Sequence, residues 1–281
     1  NDTLGNVIND STYWTLDNTI PGVQFITPLA TGEFFNSDFN ILAWLSNHLL
    51  NYSSLNITYL GSQLFFSEID LAQPTYQINE PIDVDVLDEG NYTVILYAED
   101  SSEPNHNDNT EETWFYVDKT YPNVTNINET GWVYPTPLND TLTTLTTHIL
   151  NMTCNDTFLE ETWIDFNGDI NDTLEQEGIA FWWEITRGDG TYTYTGYCND
   201  SAGNQIQTET RTLTIDTTPP NIILESPDNN TIYRDSNDVF FNYTVYDVND
   251  VAYCELIINN AIVDNNITIN NGQANNFTYN L

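Results

Sequence analysis

Apolar and polar residues alternate along most of this chain, in short runs separated by clusters of Asn, Gly, Pro and Asp. An apolar residue at every second position is typical of a β-strand with one buried face. If Cys154 and Cys198 both point inward, the same parity divides their neighbours. The inward set is Leu150, Met152, Tyr192, Tyr194 and Gly196, and the outward set is Asn151, Thr153, Asn155, Thr193 and Thr195. No helical stripe of comparable length competes, so the pattern predicts a nearly all-β protein.

The strand-like runs repeat along the chain. Residues 90–100 (GNYTVILYAED) match residues 190–200 (GTYTYTGYCND) with Gly, Tyr and Asp in the same places. Residues 25–45 lie without a gap over residues 224–244, so that a Thr-Pro pair meets a Ser-Pro pair. The interval of about 100 residues is the length of one β-sandwich domain, which predicts a string of similar domains.

Proline-containing segments mark the predicted domain boundaries. They are LDNTIPG (residues 16–22), VDKTYPN (117–123) and IDTTPPN (215–221). Proline cannot donate a ladder hydrogen bond, so it ends one strand and stiffens the link to the next. The predicted organisation is a closing strand of a preceding or neighbouring domain at 1–19, complete domains at 20–118 and 119–216, and an incomplete domain at 217–281.

The closing formula DTTPPNI, the SPDNNTIY run after it and the CNDSAGN stretch before it resemble bacterial-Ig-like and fibronectin-like tandem repeats. These repeats are abundant in large cell-surface proteins, particularly archaeal ones. The resemblance covers most of the chain, but its motifs are structural. It implies an all-β fold of tandem immunoglobulin-like β-sandwich domains in an extended array, in an extracellular stalk, surface layer, filament or adhesin. It transfers no active site.

The chain has three cysteines, and the resemblance gives two of them a role. Cys154 and Cys198 occupy positions where immunoglobulin-like sandwiches place a disulfide between their sheets, and Trp163 follows nine residues after the first. The alternative is two independent buried thiols. Cys254 is either a free buried thiol or one half of a bridge whose partner lies beyond residue 281. A disulfide implies an oxidising, extracellular compartment.

Asparagines in Asn-x-Ser/Thr tripeptides number 16, about twice the count that chance would give for this composition, which suggests N-linked glycans. The alternative is Asn-rich turn chemistry. The candidate sites are Asn1, Asn9, Asn51, Asn56, Asn91, Asn123, Asn128, Asn139, Asn151, Asn155, Asn171, Asn199, Asn229, Asn242, Asn266 and Asn276.

The formal net charge of -38 excludes more partners than it suggests. Such a surface repels phosphate backbones and anionic lipid, so nucleic-acid binding is not expected. It attracts divalent cations. No apolar run approaches the length needed for a transmembrane helix, so we predict no membrane span in these residues.

One acidic segment has the spacing of metal ligands. Around Gly168, the run DFNGDINDTLEQE carries Asp165, Asn167, Asp169, Asn171 and Asp172. Calcium takes six to eight oxygen ligands from such loops, although Gly168 stands at the fourth position rather than at the sixth, where the EF-hand needs it. The segment suits a loose Ca²⁺ loop; no cofactor is expected to be required, and Ca²⁺ is the one candidate. The alternative is an acidic connection between strands.

Candidate catalytic residues are few. His48, His106 and His148 are scattered, and no nucleophile motif accompanies them. Aromatic pairs at 182–183 and 192–194 suit stacking on sugars, but at strand spacing they fit inter-strand packing better. We therefore predict no enzyme. We predict a non-enzymatic structural glycoprotein of a surface layer, stalk or filament, with an adhesin or carbohydrate-binding surface protein as the alternative.

The third repeat, residues 217–281, shows early strands but no Gly-x-Tyr strand and no closing strand. Such a sandwich leaves ladder groups unpaired and an apolar face wet, which predicts completion from elsewhere. Residues 1–6 (NDTLGN) match residues 199–204 (NDSAGN), and residues 1–17 have the pattern of a lone closing strand. The expected partner is therefore a longer copy of the same chain or a homopolymer joined by strand addition.

Overall fold

The computed structural model of the protein describes residues 19–29, 31–46, 50–70, 75–101, 106–124, 130–234 and 237–280. In these residues the chain forms 22 β-strands, a single 3₁₀ turn at Val84–Val86 and no α-helix. The predicted all-β fold is confirmed. No helix in this part of the chain is long and apolar enough to cross a membrane.

The chain divides into two compact units. The first comprises residues 1–131, 153–163 and 197–207, and the second comprises residues 132–152, 164–196 and 208–281. Because three strands cross from one unit to the other, the units differ from the three repeats expected from the sequence. The repeat boundaries stay a prediction.

Residues 22–117 form eight strands in two sheets. The strands are β1 (Gly22–Thr27), β2 (Glu33–Phe35), β3 (Phe39–Ser46), β4 (Leu50–Tyr59), β5 (Ser62–Asp70), β6 (Thr75–Ile82), β7 (Gly90–Asp100) and β8 (Asp108–Val117). The sheet orders are β1-β3-β6 and β2-β8-β7-β4-β5. Alternate residues of both sheets meet in one core, where Ile41 of β3, Leu55 of β4 and Leu96 of β7 are at most 1% exposed.

Residues 141–215 form nine strands. They are β9 (Thr141–Thr143), β10 (Thr147–Thr153), β11 (Leu159–Phe166), β12 (Asp169–Asn171), β13 (Glu175–Glu177), β14 (Ala180–Thr186), β15 (Gly190–Asp200), β16 (Gln205–Gln207) and β17 (Arg211–Ile215). One sheet has the order β10-β14-β13, and the other has the order β12-β11-β15-β17-β9 with β16 paired to β15. The parallel pairing of β2 with β8 is repeated by β9 with β17.

Residues 221–280 form five strands. They are β18 (Asn221–Ser226), β19 (Asp238–Tyr246), β20 (Cys254–Ile258), β21 (Ala261–Asn266) and β22 (Ala274–Asn280). The sheet β18-β19-β22 faces the hairpin β20-β21 through a small core of Tyr243, Val245, Cys254 and Phe277. Leu224 on β18 is 61% exposed, whereas Phe25 on β1 is 7% exposed.

The Gly-x-Tyr match predicted from the sequence is a pair of equivalent strands. β7 and β15 are each 11 residues long and start at the matched glycines. The Tyr92 hydroxyl donates to the Asp88 carbonyl at 2.8 Å, and the Tyr192 hydroxyl donates to the Gly188 carbonyl at 3.1 Å. A tyrosine bonded to the backbone just upstream of its strand is a hallmark of immunoglobulin-like sandwiches.

The gapless match of residues 25–45 with 224–244 is wrong by one residue. Phe25 of β1 pairs with Ala43, whereas Leu224 of β18 pairs with Tyr243, so the second connection is one residue longer. The early part of the match holds, because β1 and β18 each have an irregular register just before a cis X-Pro bond. A one-residue slip reverses which side chains face inward, so Tyr243 is buried where Ala43 is.

The predicted inward set around the cysteines is largely buried. Leu150 and Met152 are 0% exposed and Tyr194 is 1% exposed, while Tyr192 is half-buried. The prediction that Thr195 points outward is wrong, because this residue is only 7% exposed. Its hydroxyl lies 2.8 Å from that of Thr210, in the segment between β16 and β17 that covers this face.

Candidate functional site

Three carboxylates of the first unit come together at the ends of its strands. Asp118 follows β8, Asp156 lies between β10 and β11, and Asp200 ends β15. One oxygen of each lies within 4.8 Å of the others, and no other trio of His, Cys, Asp or Glu side chains is this close within the described ranges. Asp200 is 0% exposed and Asp118 is 5% exposed.

Backbone and amide donors hold these carboxylates. Asp200 Oδ1 accepts from the N–H groups of Ala202 and Asn204 at 2.9 Å, and its Oδ2 accepts from Asn204 Nδ2 at 2.7 Å. Asp156 Oδ1 accepts from the Phe158 N–H at 2.7 Å. The Asp118 Oδ1 atom accepts from the Thr120 N–H at 3.0 Å.

Burial raises the pKa of the Asp118 carboxyl above its ordinary value. The N–H that Thr120 donates lowers this pKa, while the negative charges of Asp200, Asp156 and Glu89 raise it further. Carboxylates arranged in this way have the chemistry to hold a hard divalent cation, which prefers oxygen ligands. None of the five residues predicted as Ca²⁺ ligands belongs to the trio.

The predicted Ca²⁺ loop is the tight β11–β12 hairpin. Asp165 Oδ1 accepts from the Gly168 N–H at 2.8 Å, and the Asp169 carboxylate pairs with Arg187 at 2.6 Å. Asn167 and Gly168 form the turn with positive φ, and the two strands pair directly after it. Asp165 pairs with Ile170 and Phe166 pairs with Asp169, so the side chains of Asp165 and Asp169 lie on opposite faces of the hairpin. Calcium binding by this loop stays a prediction.

Cys154 and Cys198 form a disulfide in the first unit, with their Cα atoms 6.7 Å apart. Both residues are 0% exposed, as the inward parity required. Trp163 has a different position from the one expected. It is half-buried and stacks on Tyr197 at 5.2 Å, on the phase of the strand opposite to Cys198.

Cys254 is a free thiol that is 8% exposed. It starts β20, whereas Cys154 directly follows β10 and its counterpart region is the end of β19. The two cysteines therefore occupy different strands of their repeats. A bridge from Cys254 to a partner beyond residue 281 stays a prediction.

The candidate glycosylation sites differ in exposure. Asn1, Asn9 and Asn128 lie outside the described residues. The exposed asparagines are Asn51, Asn91, Asn123, Asn139, Asn155, Asn229, Asn242 and Asn276, and the half-buried ones are Asn56, Asn151, Asn171, Asn199 and Asn266. The Oδ1 atoms of Asn56, Asn151 and Asn199 are buried and without a hydrogen-bond partner. Exposure therefore favours the first group for a bulky surface glycan.

The remaining sequence candidates have structural contacts. His106 Nδ1 lies 2.7 Å from the Asp100 carbonyl, and His148 Nε2 lies 2.9 Å from the Leu145 carbonyl. His48 lies outside the described part of the chain. Among the aromatics proposed for sugar stacking, Trp183 and Tyr192 pack on the buried ring of Phe166.

A repeated acid before each Gly-x-Tyr strand was missed by the sequence reasoning. Glu89 accepts from the Lys119 N–H at 2.8 Å and from the Thr120 hydroxyl at 2.9 Å. Asp189 accepts from the N–H and hydroxyl of Thr217 at 2.8 and 2.7 Å and from the Thr218 hydroxyl at 2.6 Å. The sequence contains a signal for this contact. An acid-Gly-x-Tyr motif occurs twice, and each copy is followed about 30 residues later by an Asp-x-Thr motif at the end of the closing strand.

No protein-family model and no curated protein sequence matches the chain. Among solved structures, the fibronectin(III)-like modules of Clostridium thermocellum CbhA are similar at 14% identity, over 69% of this chain and 94% of theirs, with a TM-score of 0.42. An I-band fragment of titin is similar at 7% identity, over 81% and 94%, with a TM-score of 0.41. A tetra-tandem repeat from the extending region of a large adhesion protein has 17% identity, over 92% and 65%, with a TM-score of 0.32.

Proposed function

We propose that this chain is a non-enzymatic structural glycoprotein of the cell exterior, whose immunoglobulin-like domains form part of a surface layer, stalk or filament. The repeated strand ends carry this proposal. The tyrosine bond and the acid that accepts from an Asp-x-Thr segment occur around β7–β8 and again around β15–β17. A chain that builds the same domain end twice is typical of tandem-repeat proteins. In such proteins the number of repeats sets the length, which favours a role in spanning distance.

The disulfide and the candidate glycosylation sites support an extracellular location. Disulfides persist in oxidising compartments, and the Cys154–Cys198 bond closes a segment of 44 residues. Eight candidate glycosylation asparagines are exposed in the described ranges. The surplus of negative charge keeps copies soluble in the free state and favours divalent cations as counterions.

Immunogold labelling of the native source tests the proposal. An antibody against this chain should label intact cells as strongly as permeabilised cells, on a regular surface structure. The same chain, purified from its source, should carry glycan mass and a disulfide. Labelling confined to permeabilised cells, or a purified chain with the mass of the bare reduced polypeptide, would contradict the extracellular role.

A further inference from the structure

Beside the three carboxylates of the first unit, a turn packs against the segment that follows the closing strand β8. Residues 199–204 (NDSAGN) connect β15 to β16, and Asn204 is 3% exposed. Asn204 Nδ2 donates to the carbonyls of Asp118 and Thr120 at 3.0 and 3.3 Å. Its Oδ1 accepts from Asn36 Nδ2 at 3.0 Å, so both the nitrogen and the oxygen of this side-chain amide are hydrogen-bonded.

A second contact fixes the same turn. The Ser201 N–H donates to the Phe158 carbonyl at 2.9 Å, and the Ser201 hydroxyl donates to it at 3.1 Å. We call the surface made by Asn36, Asp118, Thr120 and Phe158 the turn site.

The second unit has a counterpart of the turn site. The Asp118 N–H donates to the carbonyl of Phe35, the last residue of β2, and the Asp216 N–H donates to the carbonyl of Thr143, the last residue of β9. Asp118 Oδ1 accepts from the N–H two residues later, as Asp216 Oδ1 does from Thr218. These shared bonds make Thr144 the counterpart of Asn36.

The remaining corner of the site is also repeated. Asp156 Oδ1 accepts from the Phe158 N–H, and Asp247 Oδ1 accepts from the Asn249 N–H at 2.8 Å. The counterpart site therefore consists of Thr144, Asp216, Thr218 and Asn249. These four residues line an open cavity of 690 Å³ within the second unit.

The chain itself contains a second segment of the kind that fills the first site. The pattern Asn-Asp-x-x-Gly-Asn occurs at residues 199–204 and at residues 1–6, and at no other place in the sequence. Further on, residues 14–19 (WTLDNT) match residues 213–218 (LTIDTT), which belong to β17 and the segment after it. The match places Asn6 in the role of Asn204 and Thr3 in the role of Ser201.

We propose that the cavity at Thr144, Asp216, Thr218 and Asn249 binds the turn Asn1–Asn6 of a second copy of this chain. Asn6 Nδ2 then donates to the carbonyls of Asp216 and Thr218, and its side chain meets Thr144. The Thr3 N–H donates to the Asn249 carbonyl. This contact extends the proposed structural role by naming a joint between copies, and its failure would leave that role standing.

Site-specific cross-linking tests the joint. Two single variants of this chain, Asn6→Cys and Thr144→Cys, are mixed and oxidised, and the disulfide between the two peptides is measured by mass spectrometry. Because the two thiols are on different molecules, a bond between them reports contact between copies. The expected yield is about tenfold or more above that of the matched pair Asn9→Cys with Thr144→Cys, because docking raises the local thiol concentration to about millimolar.

Sedimentation velocity on uncross-linked protein gives a second reading. Wild-type chain should self-associate, and Asn6→Ala should weaken the association about tenfold through the loss of two amide hydrogen bonds. Asn9→Ala should leave it unchanged. A cross-link yield equal to that of the Asn9→Cys control, or association that Asn6→Ala does not alter, would overturn the proposal.

Discussion

The ends of the closing strands β8 and β17 share a backbone frame but differ in their electrostatics. At β8, Asp118 is buried beside Asp156 and Asp200, and burial raises its pKa. At β17, the exposed Asp189 accepts from Thr217 and Thr218, and these donors lower its pKa. Asp118 therefore costs stability at the first strand end, whereas Asp189, the counterpart of Glu89, contributes stability at the second. Burial is the main cause of the raised pKa of Asp118, and the Asp200 carboxylate of the NDSAGN turn raises it further.

Removing the disulfide should have the largest effect, and the effect should be greatest in β10 and β15, the strands that the bond joins. Cys154→Ala with Cys198→Ala should lower the free energy of unfolding by about 4 kcal/mol, as expected for a loop of about 44 residues. Hydrogen exchange during urea titration measures the effect by region. Amides of β10, β11 and β15 are compared with those of β7 and β8, and equal destabilisation of both sets would contradict the assignment.

The two corner tyrosines should differ in strength. Tyr92 is 1% exposed with a 2.8 Å bond, whereas Tyr192 is half-buried with a 3.1 Å bond. Tyr92→Phe should cost about 1–1.5 kcal/mol, and Tyr192→Phe about 0.5 kcal/mol, because the bond of the buried Tyr92 hydroxyl is shorter and better shielded from water. Thermal unfolding of both variants at one pH checks the order, and a larger cost for Tyr192→Phe would reverse the comparison.

Asp118→Asn should stabilise the protein at neutral pH. The amide oxygen still accepts from Thr120, while the charge facing Asp156 and Asp200 is removed. Because the folded pKa of Asp118 is raised, its charged form costs stability above that pKa. The gain should therefore shrink as the pH falls through the raised pKa towards the ordinary value of 3.8. Urea unfolding in chelator at neutral and acidic pH measures it, and a loss of stability at neutral pH would contradict the repulsion.

Asp189→Asn should show the opposite sign. The lowered pKa of Asp189 means that its charged form contributes stability above the ordinary Asp value, which is lost as the pH falls through the lowered pKa. The variant should be less stable than wild type at neutral pH and equal to it in strong acid. The same urea series measures both variants, so a parallel response would remove the distinction between the two regions.

Glycan occupancy should follow exposure and have the smallest effect on stability. Asn91 and Asn276 are exposed, whereas the Oδ1 of Asn56 is buried on a half-buried side chain. Peptide mapping of protein from its native source should find glycans at Asn91 and Asn276 and none at Asn56. Occupancy of Asn56 with Asn91 bare would contradict the exposure argument.

Local pattern was enough to predict much of the fold. The assumption of inward cysteines placed Leu150 and Met152 correctly in the core, and the repeated Gly-x-Tyr predicted β7 and β15. The trio Asp118, Asp156 and Asp200 could not be found this way, because its members belong to three separate strand ends and 42 acidic residues give no contrast.

Other misses came from features that parity does not encode. The one-residue longer connection before β19 cannot be seen in an ungapped match. Trp163 was assigned to the bridge by its spacing, but its neighbour Ile164 has the inward phase and is 0% exposed. The roles of Glu89 and Asp189 depend on partners about 30 residues away, which only the closed sheet brings into contact.

Cryo-electron microscopy of the native surface particle tests the central claim most directly. We expect this chain in a regular polymer, with immunoglobulin-like domains repeating along it and the β7–β8 and β15–β17 ends built alike. A particle in which the chain is a single dispersed subunit enclosing a substrate pocket would contradict a structural role.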